Sequence, residues 1–509
     1  MSAALVAPRA APPASPARTF AILALLVCTT LLTYAPTLRN GFLQIGFDDA
    51  IIVDTEAIRG LDGPHLRAMA GSFVEAHYVP LTLLSLAVDH ALWQFDPFGF
   101  HLTNILLQAV NAVLVWLLLR PLLPPPMSPL VAALVFAVHP LQLEAVSLAI
   151  QRKTLLSGAA FFITLLCWQR WRGGRGHAWY AAALGAYACA ALAKPNVVTL
   201  PVILWLYDYA FVDGRPRWKA TLPFLAIAAA ATAAAITAHA EVDAVHGLHG
   251  GNVVVHGLMM ARVTAEYMLA ALLPIDLAPA YYYQRSDGLA LRNWAALIAL
   301  LGLAVVVVRQ RRAQPWPFIC LAWFAITLAP ESNLVPLTQL RADRFCYLPM
   351  LAVGIAWAYG LARVTRAAPR AWLEPALATG LVVSLAMLTA ASAPMWHSDV
   401  SAWERVVERQ DWVAAPHLLL GHAYLLANDV PDATRAYERA LLVQPDSNAA
   451  AQARLALSRL RAAPPPAAPQ ATADAGNPDA TRGHAQPHAR RAADRRARRL
   501  VERRRGSLA

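Results

Sequence analysis

The chain has 509 residues, of which 58% are hydrophobic and only 15% are charged, whereas soluble domains average about 25% charged residues. A soluble globular fold cannot bury that much apolar surface, so the composition predicts a polytopic membrane protein. The formal net charge is +12, but ten arginines against Asp494 and Glu502 place +8 of it in residues 482–505. The remaining +4 excludes an overall nucleic-acid-binding surface, and no nucleic-acid partner is expected.

Apolar runs of about 16–22 residues recur along the chain, and each is long enough to cross a hydrocarbon core of about 30 Å as a helix. Helices are required because lipid offers no hydrogen-bond partners to backbone groups. The predicted spans are 19–37, 101–119, 129–149, 154–169, 178–193, 196–212, 220–238, 292–308, 315–330, 347–362 and 372–392. The predicted fold class is therefore all-α, a polytopic membrane helical bundle of about eleven spans.

Basic clusters set the predicted orientation, because short loops rich in Arg and Lys stay on the cytoplasmic side. The clusters lie at 170–175, 215–219, 309–312 and 363–370, and the predicted outside loops are 38–100, 139–153, 193–196, 239–291 and 331–346. They agree with a cytoplasmic N-terminus, 1–18, if segment 256–273 does not cross. That segment carries Arg262 and Glu266 on one helix face, and an ordinary twelfth span with an internal ion pair is the alternative.

The first outside loop contains two adjacent carboxylates, Asp48 and Asp49, directly after Phe47. Adjacent carboxylates repel each other, and their perturbed titration near a low dielectric suits a general base or a metal ligand. Read alone, an ordinary exposed pair is the simpler interpretation. Farther along the loop, His77 opens a stretch of apolar and polar residues at near-helical spacing. This stretch predicts helices that lie flat on the membrane surface.

Polar residues recur at spacings of three and four along the second span and form one stripe. They are His101, Asn104, Gln108 and Asn111. Hydrogen bonding between helices is the simpler interpretation of this stripe, and contact with a ligand is the alternative.

Ionisable residues also collect at the turn after the third span, where their cost at membrane depth makes a functional interpretation the default. His139 and Glu144 follow that span, and Arg152 and Lys153 precede the next one. Glu144 suits a second acidic group. The basic pair suits either a clamp for an anionic headgroup or an interface anchor, and His139 also suits a simple helix end.

Two further turns carry residues of this kind. Lys194 stands between two spans, and the last outside loop contains Arg341, Asp343 and Arg344 before Tyr347. The arginines are candidate phosphate ligands. Asp343 alternatively only pairs with one of the two arginines beside it.

Residues 395–463 resemble a short helical repeat. With Gly421 as the eighth position of a 34-residue tetratricopeptide repeat, the consensus positions hold Leu420, Tyr424, Ala433, Tyr437, Ala440 and Pro445. One repeat cannot bury its own face, so a degenerate preceding repeat around Trp403 and a closing helix at 449–460 are expected to complete a cap. Residues 464–509 are Ala/Pro-rich and then Arg-rich, which predicts a disordered basic tail.

These features, in this order, resemble the transmembrane and tetratricopeptide-repeat O-mannosyltransferase-like proteins, within the multispanning glycosyltransferases called GT-C. The resemblance covers about residues 40–447, with a transmembrane domain at 19–394. Its motifs are Phe47-Asp48-Asp49, His101-Leu-Thr-Asn104, Val135 through His139-Pro140 to Glu144, Arg152-Lys153, Ala193-Lys194-Pro195, Asp343-Arg344 through Tyr347, and the repeat. The chain departs from better-studied members in having about one repeat instead of a long array.

The resemblance implies transfer of a sugar, mannose or a similar hexose, from a polyprenyl-phosphate carrier to an acceptor hydroxyl, with inversion, at the outer membrane face. It implies that Asp48 is the base, assisted by Asp49 or Glu144. The residues implied to hold the donor phosphate are Arg152, Lys153, Lys194 and Arg344. Further candidate site residues are His77, His101, Asn104, His139, Arg262, Asp343 and Tyr347.

The expected partners are the lipid-linked sugar, a protein or glycan acceptor, membrane lipid and a protein bound through the repeat. No cofactor is firmly implied, and a divalent metal is left open. The expected location is a bacterial inner membrane, with the site and the repeat on the periplasmic side. A transporter or flippase for lipid-linked glycans, an oligosaccharide ligase and a non-catalytic scaffold are the alternatives.

Overall fold

A computed structural model describes residues 5–6, 15–74, 78–241, 248, 251–284, 288–333, 339–367, 370 and 372–462. Residues up to Ser458 form one compact unit, and a second unit, Arg459–Ala509, is described only through residue 462. His77 and the predicted tail 464–509 therefore lie outside the described residues.

The described chain is built from α-helices joined by turns and short 3₁₀ segments. The first ten helices are α1 (Pro16–Tyr34), α2 (Ala50–Asp54), α3 (Gly63–Gly71), α4 (Pro80–Trp93), α5 (Pro97–Leu119), α6 (Pro129–Val138), α7 (Leu143–Ser147), α8 (Arg152–Arg172), α9 (His177–Ala193) and α10 (Leu200–Phe211). The others are α11 (Trp218–Glu241), α12 (Val253–Leu272), α13 (Leu291–Gln310), α14 (Pro315–Leu328), α15 (Met350–Ala367), α16 (Leu373–Ser392), α17 (Asp399–Arg409), α18 (Ala414–Leu426), α19 (Val430–Val443) and α20 (Asn448–Ala462). The predicted all-α fold is confirmed.

Six of the described helices are long and apolar enough to cross a membrane. They are Pro16–Arg39, Pro97–Leu119, Trp218–Thr237, Val253–Leu272, Leu291–Gln310 and Leu373–Trp396. A seventh crossing is possible through α6 and the following Pro140–Ser147, a pair bent by 53°. The protein is thus an integral membrane protein. Helix also covers every other predicted span, but α8, α9, α10, α14 and α15 are shorter or less apolar, so the count of about eleven crossings stays a prediction.

Helix starts follow the local sequence. Proline opens α4, α5, α6 and α14, where its missing N–H costs nothing. Asp96 caps α5 by accepting the Phe98 N–H at 3.1 Å, and Ser128 caps α6 by accepting the Val131 N–H at 3.3 Å. These caps fix where the two helices begin, and α5 in turn carries the polar stripe.

The bend after α6 is built around His139 and Pro140. The His139 Nδ1 accepts the Leu141 N–H at 3.2 Å, so the ring is neutral and its Nε2–H donates to the Ala271 carbonyl at 3.2 Å. His139 therefore ties the bend to the end of α12, and the simple interpretation of it as a helix-end residue describes its contacts. The bend turns the chain so that Glu144 of α7 contacts Arg344 in the segment before α15.

The polar stripe of α5 binds neighbouring helices. Asn104 Nδ2 donates to the Leu148 carbonyl at 2.9 Å, and Asn111 Nδ2 donates to the Leu155 carbonyl at 2.9 Å. The Tyr347 hydroxyl donates to Gln108 Oε1 at 2.7 Å and lies 2.6 Å from Asn111 Nδ2. His101 is fully buried beside the backbone of residues 40 and 41. The contacts of Asn104, Gln108 and Asn111 are thus hydrogen bonds that join α5 to neighbouring segments.

The C-terminal helices α17 to α20 follow one another as a short helical array. In the α18–α19 hairpin, Gly421 lies against the ring of Tyr437, where any Cβ would collide with that ring. Glycine at 421 therefore permits the close approach of the two helices. The hairpin agrees with the positions assigned from the repeat consensus, while the identification as a tetratricopeptide repeat stays a prediction.

Candidate active site

Asp48 lies beside the amino end of α8. Its Oδ2 is 3.2 Å from the Lys153 ammonium. The Asp48 side chain is 34% exposed, whereas that of Lys153 is 7% exposed. A carboxylate in this position is open to an incoming molecule on one side and held by a buried cation on the other.

Arg344 and Glu144 form a second ion pair close to the first. Glu144 Oε1 binds the guanidinium of Arg344, and its Oε2 accepts the Arg344 backbone N–H at 2.8 Å. The Arg344 Nη2 also donates to Gln339 Oε1 at 2.6 Å. Burial alone would lower the pKa of Arg344, but the carboxylates of Glu144 and Asp48 hold it above its usual value. Arg344 is therefore a fixed cation within electrostatic reach of Asp48.

Lys194 and Glu331 form the third pair, at 3.0 Å, and Asn196 Nδ2 donates to the same carboxylate at 3.0 Å. Lys194 also donates to the Thr154 hydroxyl at 3.3 Å. Burial lowers the pKa of Lys194, Glu331 opposes that effect, and the positive charges of Lys153 and Arg344 lower it further. The three cations are thus close enough to act on one another.

The group formed by Asp48, Glu144, Glu331, Lys153, Lys194 and Arg344, called here the charged cluster, joins residues from four separate stretches of the chain. It holds three carboxylates and three cations. The Asp48 side chain is 34% exposed, whereas the other five side chains are at most 12% exposed. At its exposed side the cluster therefore presents a carboxylate next to cations. This arrangement suits a reaction in which a base accepts a proton while cations stabilise an anion.

Asp49 is fully buried. Its carboxylate accepts the backbone N–H groups of Ile150 at 2.8 Å, Leu43 at 3.3 Å and Ala149 at 3.4 Å. The pKa of Asp49 is raised to about 7. Burial and the charge of Asp48 raise it, whereas these N–H groups lower it. Asp49 thus fixes the loop that carries Asp48 to the segment before Lys153, and its geometry is that of a positioning residue.

Arg152 lies on a different face of α8 from Lys153 and is fully buried. Its guanidinium donates to Asp89 Oδ2 at 2.6 Å, to the Phe100 carbonyl at 2.8 Å and to the Ser85 hydroxyl at 3.0 Å. Its Nε binds Asn104 Oδ1 at 2.5 Å. The donors of Arg152 bind α4 and α5, which is the geometry of a residue that holds helices together, so its implied role in phosphate binding stays a prediction.

Arg262 and Asp343 belong to a neighbouring network and lie outside the charged cluster. Arg262 pairs with Glu266 at 2.7 Å, and Glu266 pairs with Arg341 at 3.1 Å. Asp343 accepts the Tyr281 hydroxyl at 2.9 Å. The pKa of Asp343 is raised to about 7. Burial and the charge of Glu144 raise it, whereas the charge of Arg341 lowers it. This network holds residues 341–343, next to Arg344, against α12 and Tyr281.

A divalent metal does not suit the residues around Asp48. Within the described ranges, no three His, Cys, Asp or Glu side chains converge as metal ligands. Asp48 faces the ammonium of Lys153 and lies within electrostatic reach of Arg344, and both cations repel a divalent ion.

Sequence reasoning missed three residues that the structure places in or beside this site. Glu331 begins the predicted loop 331–346, and its signal is Lys194, because a buried lysine requires a carboxylate partner. Asp89 completes the surroundings of Arg152. Asp399 binds the loop that carries Asp48, and its signal was a helix start, Ser398-Asp399-Val400-Ser401, in which Ser398 and Ser401 form a capping box.

No family model matches the sequence. Among curated proteins, the chain is 31% identical to Protein O-mannosyl-transferase TMTC2 of Mus musculus over 29% of this chain and 18% of that protein. It is 32% identical to Protein O-mannosyl-transferase TMTC3 of Homo sapiens over 29% of this chain and 16% of that protein. With Protein O-mannosyl-transferase Tmtc3 of Drosophila melanogaster it is 24% identical over 72% of this chain and 48% of that protein. The alignments thus span from under a fifth to about half of the relatives' own length.

Among solved structures, the chain is similar to the crystal structure of ArnT from Cupriavidus metallidurans bound to undecaprenyl phosphate. The identity is 13%, the TM-score is 0.39, and the match covers 88% of this chain and 79% of that chain. A score at that level supports no conclusion about this chain. The sequence alignments confirm the resemblance predicted from the motifs: the chain is similar to the O-mannosyltransferase-like proteins.

Proposed function

We propose that this chain is a membrane glycosyltransferase that moves a sugar from a polyprenyl-phosphate carrier to an acceptor hydroxyl. The observation that carries the proposal is Asp48, a partly exposed carboxylate 3.2 Å from a buried lysine and within reach of Arg344. Similarity to curated protein O-mannosyl-transferases supports the reaction class. The exposed edge at Asp48 is where the sugar, the acceptor and the carrier phosphate would meet.

In the proposed reaction, Asp48 accepts the proton of the acceptor hydroxyl while the hydroxyl oxygen attacks the anomeric carbon. The bond from that carbon to the carrier phosphate breaks, and the phosphate leaves with the electron pair. Attack from the side opposite the phosphate inverts the anomeric carbon. Negative charge therefore moves from the acceptor oxygen to the phosphate during the reaction.

The cations of the charged cluster are assigned to that phosphate. Lys153 pairs with Asp48, whereas Lys194 and Arg344 pair with the buried carboxylates of Glu331 and Glu144. Such preorganised cations stabilise charge that grows on a leaving group because they need no reorientation when it appears. Glu144 and Glu331 act on this model by holding Arg344 and Lys194 in place.

The finer assignment follows the relatives. Their names support mannose as the sugar and a protein as the acceptor. We place the reaction at the outer face of a bacterial inner membrane, since the basic loops favour an outside position for residues 38–100. Comparison of the glycans of a deletion strain with those of its parent identifies the sugar and the acceptor together.

The test of the catalytic assignment is Asp48→Asn, which keeps the shape of the side chain and removes its basicity. We expect loss of transfer from a polyprenyl-phosphate sugar in purified protein, with normal membrane insertion and elution from a sizing column. Asp54→Asn is the matched control, because Asp54 lies on the same loop and is exposed. Full activity of the Asp48 variant contradicts the assignment of the base.

A further inference from the structure

The loop that carries Asp48 is held from two sides by buried carboxylates. On one side, Asp49 binds the backbone of Ala149 and Ile150, the segment that leads into Lys153. This contact fixes the base relative to its nearest cation. Asp49 also accepts the Leu43 N–H, so residues 44–47 are held by other contacts.

The other side of the loop is held by α17 of the C-terminal segment. Asp399 Oδ1 accepts the backbone N–H of Gln44 at 2.9 Å and that of Ile45 at 2.8 Å. The Trp403 Nε1–H donates to the Ile45 carbonyl at 2.7 Å. Hydrogen bonds to an ionised group are stronger than neutral ones, so three contacts from one helix define the path of these two residues.

The residues between those contacts and Asp48 also pack on α17. The Phe47 ring lies 5.2 Å from the Trp403 ring and 5.8 Å from the Trp396 ring, measured between centroids. Gly46 has a φ of 74°, and a Cβ there would lie 2.8 Å from Trp403 Cζ2. Glycine is required because the backbone is left-handed and passes directly over the indole. Asp48 therefore follows a stretch of chain that has little freedom.

The helix that makes these contacts is itself anchored. Ser398 caps it through a reciprocal pair of hydrogen bonds with Ser401. Glu404 accepts the Tyr424 hydroxyl of α18 at 2.6 Å. Gln410, the residue after α17, accepts the Tyr282 N–H at 2.6 Å. The position of α17 thus depends on both the helical array and the segment after α12.

We infer that Asp399 and Trp403 are positioning residues that fix the loop presenting Asp48, so that the C-terminal helices are part of the catalytic apparatus. The catalytic consequence rests on the proposed function, while the hold on the loop does not. The hydrogen bonds of Asp399 and Trp403 go to Gln44 and Ile45 instead of the charged cluster. Their loss should therefore impair the chemical step and leave donor binding intact.

The test uses two conservative variants of the full-length protein. Asp399→Asn removes the charge that binds two N–H groups, and Trp403→Phe removes one donor while keeping an aromatic ring against Phe47. Misplacement of a catalytic group by a fraction of an ångström lowers kcat strongly, and we expect a loss of about tenfold with an unchanged KM for the lipid-linked donor. Hydrogen–deuterium exchange at Gln44 and Ile45 should become faster in both variants.

Glu408→Gln is the control, because Glu408 lies on the same helix and its side chain is 65% exposed. Wild-type kcat in both variants overturns the inference, whatever the exchange rates. A raised donor KM at constant kcat also overturns it, since α17 would then support the phosphate site. If Asp399→Asn does not fold, Trp403→Phe decides. If the wild-type protein transfers no sugar, the proposed function fails, and exchange at residues 44 and 45 still shows whether α17 holds the loop.

Discussion

Two adjacent aspartates with the same chemistry have different surroundings. Asp48 is 34% exposed and faces a lysine, whereas Asp49 is buried and accepts three backbone N–H groups. A general base must reach its substrate, and a carboxylate whose oxygens are already bound to the backbone cannot. Exposure, more than residue type, therefore separates the proposed base from the residue that positions it.

The pair Lys194 and Glu331 allows the structural and the functional parts of a cation to be separated. Lys194→Met leaves a buried carboxylate without its partner, which we expect to lower stability by about 3 kcal/mol and to abolish transfer. Lys194→Met combined with Glu331→Gln should restore the stability, measured as the thermal midpoint in detergent, without restoring transfer. Recovery of transfer in the double variant would remove Lys194 from the phosphate site.

Asp343 is expected to make stability depend on pH. Its pKa of about 7 in the folded protein lies above the ordinary 3.8, so the folded state binds the proton more tightly than the unfolded state. The resulting stabilisation is complete below pH 3.8 and is lost as the pH rises towards 7, with an upper bound of about 4 kcal/mol. Asp343→Asn keeps an acceptor for Tyr281 and should flatten the fall in thermal midpoint between about pH 4 and pH 7. A variant with the same slope as wild type would show that other groups cause it.

The neighbouring residues Arg152 and Lys153 show what could not be predicted at the scale of single residues. The sequence identified Arg152 and Lys153 as a pair, but successive helix positions point about 100° apart. Which of the two faces Asp48 depends on the rotation of α8, and that rotation is set by Asp89, Asn104 and Phe100 from distant elements. The types of residue at the site were predictable from sequence. Their division between the charged cluster and its support was not.

At the scale of elements, the stripe on α5 is a device for holding helices together. The Tyr347 hydroxyl connects Gln108 and Asn111 across the start of α15. Removing it by Tyr347→Phe leaves two buried amides short of a partner, and we expect a loss of about 1–3 kcal/mol in stability. Transfer by the protein that remains folded should keep its wild-type KM and kcat. A selective loss of donor affinity would instead assign the stripe to ligand contact.

Helix existence was largely predictable, because apolar runs of this length admit little else in lipid. The contact between α17 and the first outside loop was not. Asp399 and Gln44 are 355 residues apart, and a sequence pattern carries no information on pairing at that separation. The capping box at Ser398 predicts where α17 begins, but not that the next side chain binds another segment.

At the scale of the whole molecule, contacts between loops restrict the number of crossings. The Gly41 N–H donates to the His397 carbonyl at 3.0 Å, so the chain leaves the first span and the last span at the same place. Two segments that touch outside a membrane are joined by an even number of crossings. Ten predicted spans lie between them. Lys194 and Glu331 give the same result, with four predicted spans between them.

That parity bears on α12, which is long and apolar enough to cross but was predicted not to. His256, near its start, binds the Asn333 carbonyl at 2.8 Å, and Tyr267, near its end, binds the Ala342 carbonyl at 2.9 Å. These two residues are about 16 Å apart along the helix. Since both contact the segment 333–342, which is predicted to lie outside, α12 runs along that segment, and this favours a helix that lies beside the site. If it does cross, a short neighbour such as α10 or α14 must not.

Cysteine labelling separates these two topologies. In a variant without the five native cysteines, Leu248→Cys and Ile275→Cys place single thiols before and after α12 at exposed positions. We expect both to react with a membrane-impermeant maleimide from the side that labels Leu61→Cys in the first outside loop. Arg312→Cys should react only from the opposite side, and a reporter after Leu460 should agree with Leu61. Reaction of residues 248 and 275 from opposite sides would show that α12 crosses, and the even count would then require α10 or α14 to be re-entrant.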